Sequence, residues 1–459
     1  MGEVGAIGVD DLFALDRRVR ELAGEVIAAA KAVDAGHDEH PFDKPSRNAL
    51  STLHTWRELH ARPVSALDEP LKAGLLRWLH AFLLARVSQA RRLALAEARR
   101  DHDDEGPSVA TALRELVLGA SDGARFAMID VVHARSRSVC EAVDALEELV
   151  AEVGRRSVQL VGSGARATRA HGQGDARAFD HEGDAIARLL TLTEPSTGDA
   201  LKQFRFDRDG VTRRPSTLAF FDGLLGRDAN EGWPSRHLTT WVAETYREFL
   251  RNRRPRAIAM PTVVGAASYL RIVSAFGSSL VDAMVPAATP FAIAHDPLAM
   301  RRRVGGVTFA LAMVSAPFQS RVLGLSGHEV PEQLRRLRRS VLQSARIEAA
   351  RAERLRRGLR ASSREAAELG AHLFEGALTE PVAALLMARG DGFDFEVFLQ
   401  GVSLASAARD ALDEDWFRNP RAPEWFSEHL GSAIGPYPKL ADAPGAVRLL
   451  ARLLGDVYA

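Results

Sequence analysis

Apolar residues recur at three- and four-residue intervals along nearly every patterned stretch of this chain, which restricts it to helices packed on helices. Leu71–Ala98 carries Leu75, Leu76, Leu79, Phe82, Leu83 and Val87 with basic residues between them. Ala127–Val153 repeats the pattern through Met128, Val131, Val132, Val139, Val143 and Leu146, and adds an acidic face of Glu141, Asp144, Glu147 and Glu148. Pro331–Leu359 predicts a third long helix, Phe395–Leu412 and Ala446–Val457 shorter ones, and Ala267–Val285 is an apolar run. Strand signals are scarce. Lys202–Thr212 alternates briefly around an Asp-Gly and suits a small hairpin, and Arg256–Met260 is a short extended candidate stopped by Pro261. The expected fold class is mainly α with at most a minor β element.

The 459 residues suffice for a large core and, by length, for more than one domain. Gly162–Gly183, rich in Gly, Ser and Ala, is the strongest linker candidate. It divides the chain into a helical region 1–161, a flexible segment 162–183 and a second helical region 184–459. Lys+Arg and Asp+Glu both number 60, so global charge favours neither nucleic acid nor an anionic membrane. The one cysteine, Cys140, excludes an internal disulfide framework and a multi-thiolate metal site. No apolar run reaches the roughly 18 residues that span a bilayer, and no basic region precedes an apolar one at the N-terminus. The expectation is a cytoplasmic protein without a membrane partner.

Chemistry is most suggestive at Ser274-Ala275-Phe276-Gly277-Ser278. A zinc-peptidase helix of the form H-E-x-G-H places two His one turn apart with a Glu to activate water. The segment Tyr269-Leu-Arg-Ile-Val-Ser-Ala-Phe-Gly-Ser-Ser-Leu-Val has that layout with Ser, Ala and Ser at the three functional positions. Val304–Leu325, ending in Arg-Val-Leu-Gly-Leu, and Asp413-Glu-Asp-Trp-Phe-Arg-Asn-Pro-Arg-Ala follow it in order. Together these segments, within about Trp233 to Phe426, resemble the thimet oligopeptidase and oligoendopeptidase F family of zinc peptidases. The resemblance implies a multi-helix zincin-like architecture in the C-terminal half. It also implies that Ser274, Ala275, Gly277 and Ser278 are vestiges of a zinc helix, and that His295, Gly305, Gly306 and Phe309 line what remains of a cleft.

Departures from the family pattern decide the activity that the resemblance implies. No Glu stands between Ala275 and His328 to act as third ligand, and Phe395–Asp410 lacks the tyrosines that would hold substrate. A metal peptidase needs ligands, base and electrophile together. The expectation is therefore no catalytic residue, no metal and no cofactor. Read without ancestry, Ser274, Gly277 and Ser278 form a small-residue face that lets another helix approach closely.

Other clusters offer weaker chemistry. His37-Asp-Glu-His40 with Asp43 is dense in ligands but sits in a polar, Pro-bounded loop, and His181-Glu182 has Ala185 where a second His would be. His328-Glu329 reads as a helix start with Pro331 in the first turn. His54 and Glu58 share a helix face. Gly119-Ala-Ser-Asp-Gly123 matches the G-x-S-x-G nucleophile elbow but follows a helical pattern, so a loop between helices accounts for it. The arginine run from Arg335 to Arg364 is interleaved with Glu332, Glu348 and Glu353 and has few aromatics, which argues for a solvated helix face over a nucleic-acid surface. The leading expectation is a non-catalytic peptidase homologue that binds an extended peptide or protein. The alternatives are a helical partner-binding protein unrelated to peptidases, and an enzyme that assembles a site from residues such as His295, His237 and Glu244.

Overall fold

The computed structural model describes residues 11–34, 42, 45–99, 107–119, 121–161, 183–194, 214–224, 233, 244, 265–374, 377–388, 394–430 and 443–455. In chain order the helices are α1 Leu12–Asp34, α2 Pro45–Leu50, α3 Leu53–Ala61, α4 Glu69–Arg99, α5 Val109–Leu118, α6 Asp122–Val161, α7 (183–194) and α8 Arg214–Gly223. They continue with α9 Ala266–Met284, α10 Phe291–Ala294, α11 Met300–Ala312, α12 Glu329–Arg356, α13 Arg364–Leu373, α14 Glu380–Ala388, α15 Asp394–Leu412, α16 Ala422–Leu430 and α17 Ala443–Leu454. A π-helical turn, Phe318–Val322, and a 3-10 turn, Trp416–Arg418, complete the set. No strand occurs among the described residues, and the fold is all-α. The strand candidates at 202–212 and 256–260 lie outside the described residues, as do His37–His40 and the linker candidate up to residue 182. No helix among the described residues is long and apolar enough to cross a membrane.

Local sequence sets the helix ends. Thr52, Ser108 and Ser363 each accept a backbone N–H three residues on, the N-cap arrangement that satisfies a first-turn donor. α12 begins two residues before the Pro331 start that periodicity predicts, because the Glu329 carboxylate accepts the Ser326 N–H and hydroxyl. Those bonds hold its carboxyl below the usual range. The same helix stops at Gly358, whose φ of 65° favours a residue without Cβ. There Leu359 N–H bonds Arg354 O and Gly358 N–H bonds Leu355 O, a Schellman end.

Three apolar cores form among the described residues. The first joins α1, α3 and the first half of α4 through Leu15, Val19, Trp56, Leu59, Leu75, Leu79 and Phe82. The second joins α5, α6 and α8 to α12, α13 and α14. The third joins α7, α9, α11, α15, α16 and α17 around α12. Residues from both sides of 162–182 thus share the second core, where Ile129, Val132 and Val143 cluster with Ile347, Val382 and Leu385.

α12 is central to this arrangement despite its charge. Arg346 and Arg354 are buried, and their guanidinium groups reach carbonyls at the ends of other helices. Arg346 donates to Leu373 O at the end of α13, to Leu190 O at 2.8 Å and to the Thr193 hydroxyl, both in α7. Arg351 donates to Leu386 O at 2.8 Å and Arg354 to Met387 O at 3.2 Å, both in the last turn of α14. Helix C-termini leave carbonyls without intrahelical donors and carry the negative end of the macrodipole. A cationic helix therefore serves as their common partner. Arg354 also makes a bidentate pair with Glu147, and the buried Asp144 carboxylate accepts the Ala361 and Ser362 N–H groups. The acidic face of α6 and the arginine run of α12 are thus partly internal, not the solvated surfaces that their composition suggests.

Candidate functional site

Ser274, Ala275, Gly277 and Ser278 lie on α9, which packs directly on α11. A Cβ at Gly277 would stand 2.3 Å from Gly305 O and 2.8 Å from Phe309 Cβ. A Cβ at Gly305 would stand 2.7 Å from Val281 Cγ2 and 2.9 Å from Gly277 O. A Cβ at Gly306 would stand 2.8 Å from both the Ser274 and Ser278 hydroxyl oxygens. Backbone therefore meets backbone, and the two serines close over Gly306. Gly305, Gly306 and Phe309, expected along a cleft, lie inside this contact and are buried. Their small or flat side chains are what allow the approach.

Phe309 extends the contact to the third segment of the resemblance. Its ring centroid is 5.2 Å from Phe276, 5.0 Å from Trp416 and 5.3 Å from Phe426. These edge-to-face and tilted geometries are the favoured ones for aromatic pairs. The segments 269–281, 304–325 and 413–422 thus meet in one core, filled by side chains.

His295 stands apart, half-exposed beyond the C-terminal end of α9. Its Nδ1 is 3.9 Å from Asp282, which also pairs with Arg302 at 3.3 Å. His237 lies outside the described residues, and Glu244 is exposed on helical backbone. No group of three or more His, Cys, Asp or Glu among the described residues is placed to hold a metal. Ser121 sits between α5 and α6 and accepts the Ala124 N–H, so in the G-x-S-x-G stretch it caps a helix. His54 pairs with Glu58 at 3.0 Å on an exposed face. The Cys140 thiol is pushed up to about 12, first by burial and then by the Asp144 carboxylate, so it carries no thiolate at neutral pH.

A different cluster emerges where α1 and α4 meet α10. Asp16, buried on the apolar face of α1, accepts the Phe291 N–H at 2.8 Å and the Ala292 N–H at 2.7 Å. Trp78 Nε1 donates to His295 O at 2.8 Å, and its ring lies 5.2 Å from Phe291. Gly74 admits the turn: a Cβ there would stand 2.2 Å from Ala292 O. The sequence carried one signal of this. Asp16 occupies the register of Leu12, Leu15, Val19 and Leu22, where an unpartnered carboxylate would be costly.

No protein-family model, no curated protein and no solved structure matches this chain.

Proposed function

We propose that this protein works by binding a peptide or protein partner, as a helical scaffold, and that α9 and α11 perform no peptide-bond chemistry. The observation that supports this reading is the closed contact of Gly277 on Gly305, with Ser274 and Ser278 over Gly306. Neither serine can ligate zinc at neutral pH as His does, and no space separates the helices there for an ion and its water. Incubation of the purified chain with a mixture of unstructured peptides, with and without a chelator, tests it. The expected result is no hydrolysis above buffer in either arm. Hydrolysis that the chelator abolishes overturns the reading.

A more specific version treats the helix pair as a former zinc site that has closed. It draws support from the meeting of all three resembling segments around Phe309. On that version a bound peptide lies beside α9 and α11, so a photo-crosslinking peptide labels those helices. Labelling confined to other helices removes that version and leaves the general one.

A further inference from the structure

The first core contains, among the described residues, only 12–82 and a single short visitor. That visitor is α10: Ala292 is a member, with Phe291 and Ile293 packed at its margin. Beyond Ala85, no other described residue enters this core.

The grip on the visitor acts mainly on its backbone. Pro290 has no N–H, and the Ile293 and Ala294 N–H groups bond Pro290 O within the turn. The two donors left over, at Phe291 and Ala292, are those that Asp16 accepts. His295 O, at the other end, takes the Trp78 indole N–H. Side-chain selection comes from two features. Trp78 offers a ring face to an aromatic at 291, and Gly74 demands that the backbone at 292 lie flush on α4.

The turn itself is lightly held. Between Val285 and Met300 only Ala292 is fully buried, and Pro286, Pro290 and Pro297 bracket the segment. A segment with few buried side chains opens locally at a fraction of the global unfolding free energy. A site that reads backbone groups and one aromatic accepts any chain that presents them.

We propose that the α1–α4 bundle is a docking site for a short one-turn peptide segment, that residues 290–295 occupy it in the resting chain, and that a partner displaces them. The partner segment has the pattern proline, aromatic, Ala, aliphatic, Ala, with two free N–H groups at the start of a turn. This inference rests on the partner-binding reading above and gives it a site.

The test uses the full chain and a synthetic peptide with blocked ends that copies residues 286–298. In a Phe291→Ala variant the internal occupant is weakened while Asp16, Gly74 and Trp78 stay intact. The peptide is expected to bind that variant about ten-fold more tightly than the unaltered chain, because self-occupancy lowers apparent affinity by the competent fraction. Adding Asp16→Ala to the variant abolishes the gain. Equal affinity for the two chains, no binding to either, or a gain that survives Asp16→Ala overturns the proposal. Hydrogen exchange on the unaltered chain needs no variant. The Phe291 and Ala292 amides are expected to exchange by local opening, faster than amides of α9 and α11. Exchange of all of them only through global unfolding also overturns it. Either failure leaves the absence of hydrolysis to be judged separately.

Discussion

Gly277 and Gly24 have the same chemistry in a helix interior and opposite surroundings. Alanine at either position gains about 0.5–1 kcal/mol from the lower backbone entropy of the unfolded chain. At Gly24, on α1, the added Cβ meets nothing within 4 Å, so the gain stands. At Gly277 it meets a carbonyl oxygen at 2.3 Å, which is backbone and can yield only if α9 and α11 separate. Overpacking of that kind costs about 1–3 kcal/mol and outweighs the propensity gain. Urea denaturation should therefore give Gly24→Ala a higher midpoint than the parent and Gly277→Ala a lower one. Two changes of the same sign would mean that α9 and α11 do not pack this closely. The small residues at 274–278 were plain in the sequence. Their close contact with another helix was not, because it depends on Gly305 and Gly306, which stand elsewhere in the chain.

Among the helices, α12 shows how a charged element becomes a central one. Arg346 serves acceptors in different directions, among them Leu373 O, Leu190 O and the Thr193 hydroxyl. A lysine ammonium is a point donor on a flexible stem and cannot span them, so Arg346→Lys leaves buried acceptors unmade. Each such group costs about 1–3 kcal/mol. Arg364, on α13, is exposed and pairs with Glu368 one turn on. Arg364→Lys is expected within about 0.5 kcal/mol of the parent. Comparison of chemical-denaturation midpoints for the two variants checks the contrast, and equal effects would return α12 to a solvated surface. The helices themselves were legible because a 3.6-residue period is local. Glu69–Arg99 and Asp394–Leu412 fall close to the ranges read from spacing alone. The burial of α12's arginines was not legible, since their partners are carbonyls of other helices and carbonyls leave no mark on composition. Asp16 was half legible: its apolar register marked it as unusual, but the turn that it caps lies 275 residues away.

Across the whole molecule, the Gly-rich stretch at 162–183 invites a division into two domains, and the second core runs across it. α6 supplies Ile129, Val132 and Val143, while α14 supplies Val382 and Leu385. Polar ties cross the same boundary: Asp144 to Ala361 and Ser362, Glu147 to Arg354, and His133 to Thr379 at 2.7 Å. Burial of each large aliphatic side chain contributes about 1.5–3 kcal/mol, so the lost faces of α6 and α14 together rival the whole stability of a typical domain. A fragment ending at residue 161 would expose one half of that core and leave Asp144 and Glu147 without their partners. The intact chain should therefore melt with the α6 and α14 amides losing protection together. Fragment 1–161 alone should show no cooperative transition by calorimetry, and mixing it with fragment 183–459 should restore one. A sharp native-like melt of 1–161 by itself would show that α1–α6 form an independent domain, and that the core shared with α12–α14 is an interface between domains and not the interior of one.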